Sequence, residues 1–365
     1  MKTILHMIDT TGPGGAETVF IDLATRLPKD KYRAVVVIRG AGWVYDELRR
    51  RGVEPILIDA KGSFDWRYLH QLCRLIKKER VDLIQSHLLG SNVYSSMAGI
   101  LTRTPVVTTF HGAVDIGDNE RFKGLKFSAI NAGAKCIVAV SDSLKMDIVD
   151  RTPLKQNKIK TIYNGINTAD FQRPCAIDLR EKFDWPNDAV IIGSLGNIRS
   201  AKGYDVLLQA AAMLKKQPGS FRFVIAGQGE GKLYDKLIQL RAELALEEMV
   251  HFLGFMDDPA SYLANIDVFL LSSTTEGFSI ATIQAMASAR PVIATKSGGP
   301  EEIITHGENG WLIEAGNPGE IAESIALLAS DPALATQMAK KGNQHVLDTF
   351  DMNIMLEAYQ EAYDA

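Results

Sequence analysis

Apolar runs of strand length alternate with amphipathic runs of helix length along the whole chain, which restricts it to parallel sheets covered by helices. In the first half the expected strands are Thr3–Ile8, Ala34–Ile38, Pro55–Ile58, Leu83–Gln85, Val106–Thr109, Cys136–Val140 and Lys160–Ile162. Helices such as Ala16–Leu27, Tyr45–Arg51, Trp66–Lys78 and Asn92–Leu101 fall between them. A polar segment from Asn164 to Asp188, carrying Pro174 and Pro186, interrupts the pattern. It then restarts with strand Val190–Leu195, helix Tyr204–Lys215, strand Phe221–Ala226, helix Lys232–Ala245 and strand Val250–Leu253. Strand Asp267–Leu271, a helix from Ser279 to Ser288 and strand Pro291–Ala294 follow. Two similar α/β lobes joined by a linker is the economical organisation. A last helix, Met352 to Tyr363, lines up Met352, Met355, Leu356, Tyr359 and Tyr363 in one stripe that either lobe would bury.

Composition sets limits on function. The chain has 365 residues, 46% apolar and 23% charged, as expected of two soluble domains. A net charge of −4 argues against nucleic acid as the main partner. Cys73, Cys136 and Cys175 form no spaced cluster and cannot all pair, which fits a reducing cytosol. Met1 to Ile8 is too short for a signal segment, and no apolar stretch approaches the roughly 20 residues that span a bilayer. A cytoplasmic protein is expected.

The most informative segment is Glu276-Gly277-Phe278-Ser279-Ile280, running into a helix that carries Gln284. Glu276 follows a buried strand and Ser279 is placed to cap the next helix. Open α/β sheets place their ligands at such strand ends, where helix amides and the helix dipole attract phosphate. Gln284 lies about 12 Å along the axis from Glu276 at 1.5 Å per residue. That span suits a nucleotide diphosphate-sugar, its sugar at Glu276 and its ribose at Gln284. Strand Val190–Leu195 ends in a loop with Arg199 and Lys202, a fork and a point charge able to face one anion. A solvated basic loop is the alternative, and Glu276 at an equivalent strand end favours the anion site.

Ala226-Gly227-Gln228-Gly229-Glu230-Gly231 has its third glycine one position early for a dinucleotide fingerprint and lacks the acidic residue that would end the next strand. It is a glycine turn beside a nucleotide or merely a tight turn. Gly12-Pro13-Gly14-Gly15-Ala16-Glu17 follows the first strand and would let backbone amides approach a ligand. His111 ends one strand and His87 another; His111 shares an edge with the glycine loop and is the functional candidate, His87 a structural residue. Ser141 reads as an N-cap, with Lys145 a turn later. The sequence has no Asp-x-Asp pair, metal-cage spacing, nucleophile elbow or Walker loop, so diphosphate charge falls to Arg199, Lys202 and helix amides, with no metal or other cofactor expected.

Together these residues resemble the retaining family-4 glycosyltransferases of the GT-B fold. The likeness runs through Gly14-Gly15-Ala16-Glu17, the His111 loop, Tyr163-Asn164-Gly165-Ile166, Arg199 and Lys202, Gly227-x-Gly229, and Glu276-Gly277-Phe278-Ser279. It implies two Rossmann-like lobes whose parallel sheets face a central cleft, the last helix crossing back to the first lobe. Residues 1–168 with about 350–365 would form the acceptor lobe, and 169–349 the nucleotide-sugar lobe. It implies that Arg199 and Lys202 hold the diphosphate, helped by amides of Gly277, Phe278, Ser279 and Ile280. Glu276 would contact the hexose hydroxyls, His111 would lie beside the reacting carbon, and Gly14, Gly15 and Gly227 would line the donor. Transfer would proceed with retention, the leaving phosphate helping to deprotonate a glycan or lipid-linked acceptor.

The chain departs from the family at Gln284, where a second glutamate is usual, and at Asn167, where aspartate is common. The Gln284 oxygen still accepts from a ribose hydroxyl, with a bond weaker by about 1 kcal/mol. The segment Glu120-Arg121-Phe122-Lys123-Gly124-Leu125-Lys126-Phe127 is either a contact with the inner membrane face or a helix with one buried and one basic face, and its modest hydrophobicity favours the second. Two other functions remain open. A nucleotide-sugar epimerase or phosphorylase of the same fold would act without acceptor or with free phosphate; a catalytically silent partner subunit would bind a nucleotide sugar or another transferase, and Gln284 alone supports it.

Overall fold

A computed structural model describes residues 1–61, 64–117, 120–173 and 177–365. Pro174 and Cys175 lie outside the described residues; Cys73 and Cys136 are free thiols. In the first unit β1 (Lys2–Ile8), β2 (Tyr32–Ile38), β3 (Ile56–Leu57), β4 (Leu83–His87), β5 (Val106–Phe110), β6 (Ala134–Ala139) and β7 (Ile159–Thr161) form one parallel sheet in the order β3-β2-β1-β4-β5-β6-β7. Both faces are buried. Leu5, Met7, Val35 and Val37 pack on one side under the helix Trp66–Lys78, and Ile8, Val36 and Ile38 on the other under Gly15–Arg26. That two-sided burial explains why the strands read as near-continuous apolar runs.

The second unit holds β8 (Val190–Leu195), β9 (Phe221–Ala226), β10 (Val250–Gly254), β11 (Val268–Leu271), β12 (Val292–Thr295) and β13 (Trp311–Ile313), parallel and ordered β10-β9-β8-β11-β12-β13. In both sheets the strand order reverses beside the first strand, between β1 and β4 and between β8 and β11. Those are the switch points where loops diverge and leave room for a ligand.

The chain divides into Met1–Asn164 with Asn353–Ala365, and Gly165–Met352. The expected limits lay a few residues away, at 168/169 and near 350. The last helix, Met352–Asp364, buries the whole expected stripe, with Tyr359 fully enclosed, and its residues from Asn353 onward belong to the first unit. The Asn164–Asp188 segment carries a 3-10 turn, Thr168–Gln172, and a short helix, Leu179–Lys182. Between Ala294 and Met352, where the sequence reading assigned nothing, stand β13 and the helices Pro318–Ser330 and Pro332–Thr349. Both helices open on a proline after a capping side chain: Asn317 accepts from the Glu320 amide and Asp331 from the Leu334 amide.

Candidate functional site

The loops after β8 and β11 meet at the switch point of the second sheet. Lys202 ends a 3-10 turn, Ser200–Lys202, and Gly203 then adopts φ +60°, where a Cβ would stand 2.2 Å from the Ser272 carbonyl oxygen. The Ser272 hydroxyl donates to the Lys202 carbonyl at 2.8 Å, and the Thr274 amide donates to the Ala201 carbonyl at 2.7 Å. These bonds lock the two loops together and aim Lys202 at Glu276. The Lys202 Nζ donates to Glu276 Oε1 at 2.6 Å, with side chains only 21% and 12% exposed. Ser273 Oγ donates to the same oxygen at 2.6 Å, so Glu276 Oε2 has no partner among the described residues. The Glu276 backbone is pinned too: its amide donates to the Ser297 carbonyl and its carbonyl accepts from the Gly299 amide. Burial and the Glu276 charge push the Tyr204 phenol upward, and its hydroxyl donates to the Gly196 carbonyl at 2.7 Å.

Ser279 caps the helix Ile280–Ala287, accepting from the Thr282 amide at 3.3 Å. Amides in that first turn have no partner within the helix and point outward as donors. Phe278 is buried edge-on against Phe350, and Gln284 is half-buried with no described hydrogen bond from its carboxamide. Arg199 is exposed, and its guanidinium makes no ion pair or hydrogen bond among the described residues. The two cations therefore differ: Arg199 is open to solvent and Lys202 is held by a carboxylate. Gly227 and Gly229 have a packing reason to lack side chains. A Cβ at Gly227 would stand 2.0 Å from the Gly196 oxygen, and one at Gly229 2.5 Å from Ile198 Cγ1.

In the first unit, the ends of β4 and β5 bring two imidazoles into contact. His87 Nδ1 and His111 Nε2 lie 2.8 Å apart with the rings stacked. His87 is fully buried, and Gln85 Nε2 lies 3.2 Å from its Nε2. Burial pushes His111 down to about 3, and burial with the His111 and His6 charges pushes His87 well below its usual value. The His111 amide donates to Asp115 Oδ2 at 2.7 Å and the Leu89 amide to its Oδ1 at 3.3 Å; burial raises this carboxyl to about 7. Gly14 and Gly15 open the helix Gly15–Arg26, and a Cβ on Gly14 would meet Glu17 Oε2 at 2.4 Å. Ser141 caps its helix, accepting from the Leu144 amide at 3.0 Å.

Several site residues escaped the sequence reading. Ser273 stands three before Glu276 in a Ser-x-x-Glu spacing, and Ser297-Gly298-Gly299-Pro300 carries obvious turn residues. Gln85 and His6 are polar residues inside buried strands, the signal that would have marked them. Asp115 has none beyond its spacing from His111. Among the described residues no cluster of His, Cys, Asp or Glu is arranged to hold a metal ion, and no helix is long and apolar enough to cross a membrane.

The family profile described as Glycosyltransferase Family 4 matches residues 13–170, and that described as Glycosyl transferases group 1 matches residues 177–345. The lipopolysaccharide core biosynthesis glycosyltransferase LpsE of Rhizobium meliloti is 26% identical over 95% of this chain and 94% of its own length. The capsular polysaccharide biosynthesis glycosyltransferase CapM of Staphylococcus aureus is 27% identical over 86% of this chain and 84% of its own. Among solved structures, a glycosyltransferase from Rickettsia africae superposes with a TM-score of 0.87 at 26% identity, covering 99% of this chain and 97% of that one. HepE from Anabaena, solved with UDP and glucose, gives 0.89 at 24% identity over the full length of both chains.

Proposed function

The chain belongs to the family 4 glycosyltransferases and has their GT-B fold, and from that premise we propose that it moves a hexose-type sugar from a nucleotide diphosphate-sugar to a glycan or lipid-linked acceptor, with retention and without a metal ion. The observation that carries this reading is the Lys202–Glu276–Ser273 cluster at the switch point of the second sheet.

In the free protein Lys202 and Glu276 neutralise each other. A diphosphate offers Lys202 a stronger anion, with Arg199 and the amides at Phe278 to Ile280 as further donors. Glu276, still held by Ser273, then turns its carboxylate to the hexose hydroxyls. Gln284 accepts from the ribose, while His111 serves the sugar and Gly14 and Gly15 approach the donor. Charge accumulates on the leaving diphosphate in the transition state, so fixed cations stabilise it there more than in the ground state. The leaving oxygen then takes the acceptor proton. The LpsE and CapM likenesses support a polysaccharide or lipid-linked acceptor.

The segment 120–127 supports a peripheral contact with an anionic membrane. Phe122 and Leu125 are 58% and 74% exposed, next to an exposed Arg121, while Phe127 is buried and Lys126 pairs with Glu120. The exposed side thus carries apolar side chains beside the basic ones expected of the helix's outer face.

Titration with nucleotides and their sugar conjugates in excess EDTA tests the donor site, with UDP as the first probe. One nucleotide raises the melting temperature, and NMR of the product shows the donor's anomeric configuration. An inverted product, or a strict metal requirement, would sink the corresponding part of the reading. Co-sedimentation with phosphatidylglycerol vesicles, lost in Phe122→Ser/Leu125→Ser, tests the membrane contact; equal sedimentation of both proteins overturns it.

A further inference from the structure

We propose that Gln85 and His87 are positioning residues that hold His111 as a neutral imidazole protonated on Nδ1, so that His111 offers the sugar a hydrogen-bond donor and cannot act as a base. The functional half of this inference rests on the reading that His111 serves the sugar.

The order of protons follows from groups that can only donate or only accept. Gln85 Nε2 lies 2.9 Å from Thr109 Oγ1 and 3.4 Å from the Ser86 carbonyl oxygen. An amide NH2 has two hydrogens, and the two shorter contacts take them, Thr109 Oγ1 at 2.9 Å and His87 Nε2 at 3.2 Å, while the Ser86 carbonyl, an acceptor only, merely borders the same nitrogen. Turning the amide over would set its oxygen against the Ser86 carbonyl oxygen and strand both N–H donors in the core, a greater loss than the single unpartnered Gln85 Oε1. His87 Nε2, met by a donor, is unprotonated. A neutral His87 ring therefore carries its proton on Nδ1 and gives it to His111 Nε2 at 2.8 Å.

His111 Nε2 is thus an occupied acceptor, and the ring's own proton sits on Nδ1, which no described residue engages. Phe20 stands edge-on to His87, an apolar wall that excludes a competing water. Thr109 Oγ1 lies 3.2 Å from the Tyr359 hydroxyl, so the relay is anchored at its far end on the last helix. An N–H donor fixed in this way steadies a sugar oxygen, and the acceptor's deprotonation is left to the departing phosphate.

Long-range 1H–15N correlation spectra of the full chain read the tautomer directly, at pH 7.5 and with histidine labelling. The chain has 7 histidines, and His111 is assigned by the signals lost in His111→Asn. The expected wild-type spectrum shows His111 protonated on Nδ1 alone. Gln85→Glu replaces a donor by an acceptor and should reverse the relay, moving the His111 proton to Nε2 and lowering turnover about tenfold, the size of one hydrogen bond lost. A wild-type His111 protonated on Nε2, or charged, overturns the proposal, as does an unchanged tautomer in Gln85→Glu. Should that variant fail to fold, the wild-type spectrum decides by itself. Normal turnover in His111→Asn would remove the role at the sugar, while the spectra still decide the relay.

Discussion

Arg199 and Lys202 sit in one loop but do different work in the free protein, which separates their substitutions. Arg199 is exposed and unpaired among the described residues, so Arg199→Ala should change stability by less than about 0.5 kcal/mol. Lys202→Ala leaves Glu276, 12% exposed, with Ser273 as its one side-chain partner among the described residues, and should cost about 1–2 kcal/mol. Both should lower transfer by about 100-fold or more, because the proposed function sets both cations against the leaving diphosphate. Thermal melts and single-turnover rates on the two variants check this pair; equal melting shifts would break the distinction. Gln284 poses the converse question. Its carboxamide is half-buried and without a hydrogen bond among the described residues, so Gln284→Glu adds a charged acceptor and removes nothing. Donor affinity should rise about fivefold, the equivalent of about 1 kcal/mol, measured by calorimetry. Weaker binding would show that the ribose lies elsewhere.

Strands β1, β4 and β5 are neighbours in one sheet; β1 carries the buried His6, β4 ends in the buried His87, and the half-buried His111 stands just past β5. Burial lowers His6 and His111 to about 3 and His87 well below the usual value. Their folded forms bind protons less readily than the unfolded chain, whose histidines titrate near 6.5. Their stability contribution is therefore fully present above about pH 6.5 and is lost as pH falls toward 3. Asp115 runs the other way: raised to about 7, its contribution is complete below about pH 4 and fades as pH rises through 7. Three histidines outweigh one carboxyl, so the melting temperature should drop between pH 7 and pH 5. Among the described residues neither ring nitrogen of His6 has a partner, so His6→Leu should reduce that drop while leaving the sheet intact. A melting temperature equally steep in pH for wild type and His6→Leu would refute the assignment. In the second unit the β8 loop depends on a backbone that only glycine takes without strain. Gly203→Ala combines φ +60° with a 2.2 Å approach to the Ser272 oxygen, and should cost more than about 1 kcal/mol and weaken donor binding as Lys202 shifts.

At the scale of the molecule, local pattern carried the architecture and most strand positions, because parallel strands buried on both faces announce themselves as apolar runs. Val190–Leu195 and Phe221–Ala226 fall where expected, and Trp66–Lys78 matches as a helix. The stretch from 296 to 350 went unassigned: β13 is only three residues long, but the helices were legible, with Ile321, Ile325 and Leu328 forming one buried stripe and Met338, Gly342 and Val346 another at helical spacing. At the site, Glu276 and Lys202 were legible from their strand-end positions. The ion pair between them was not, since it depends on how two loops 74 residues apart are locked together. Nor was the Gln85–His87–His111 relay, which needs strand register. The last helix is a similar case: its stripe was plain, its partner was not. The structure places Tyr359, Tyr363, Met355 and Leu356 in the first unit, with Tyr359 beside Thr109 and Tyr363 edge-on to Tyr32. Each such side chain contributes about 1.5–3 kcal/mol on burial. Their sum rivals the whole stability of a typical domain, about 5–15 kcal/mol. A chain ending at Met352 should therefore lose its first unit selectively: limited proteolysis should digest residues 1–164 and spare 165–352, whose own core is untouched. Tyr359→Phe, which loses only the hydroxyl contact to Thr109, should cost no more than about 1 kcal/mol. Equal protease resistance of both units in the truncated chain would show that the last helix is not part of the first unit's core.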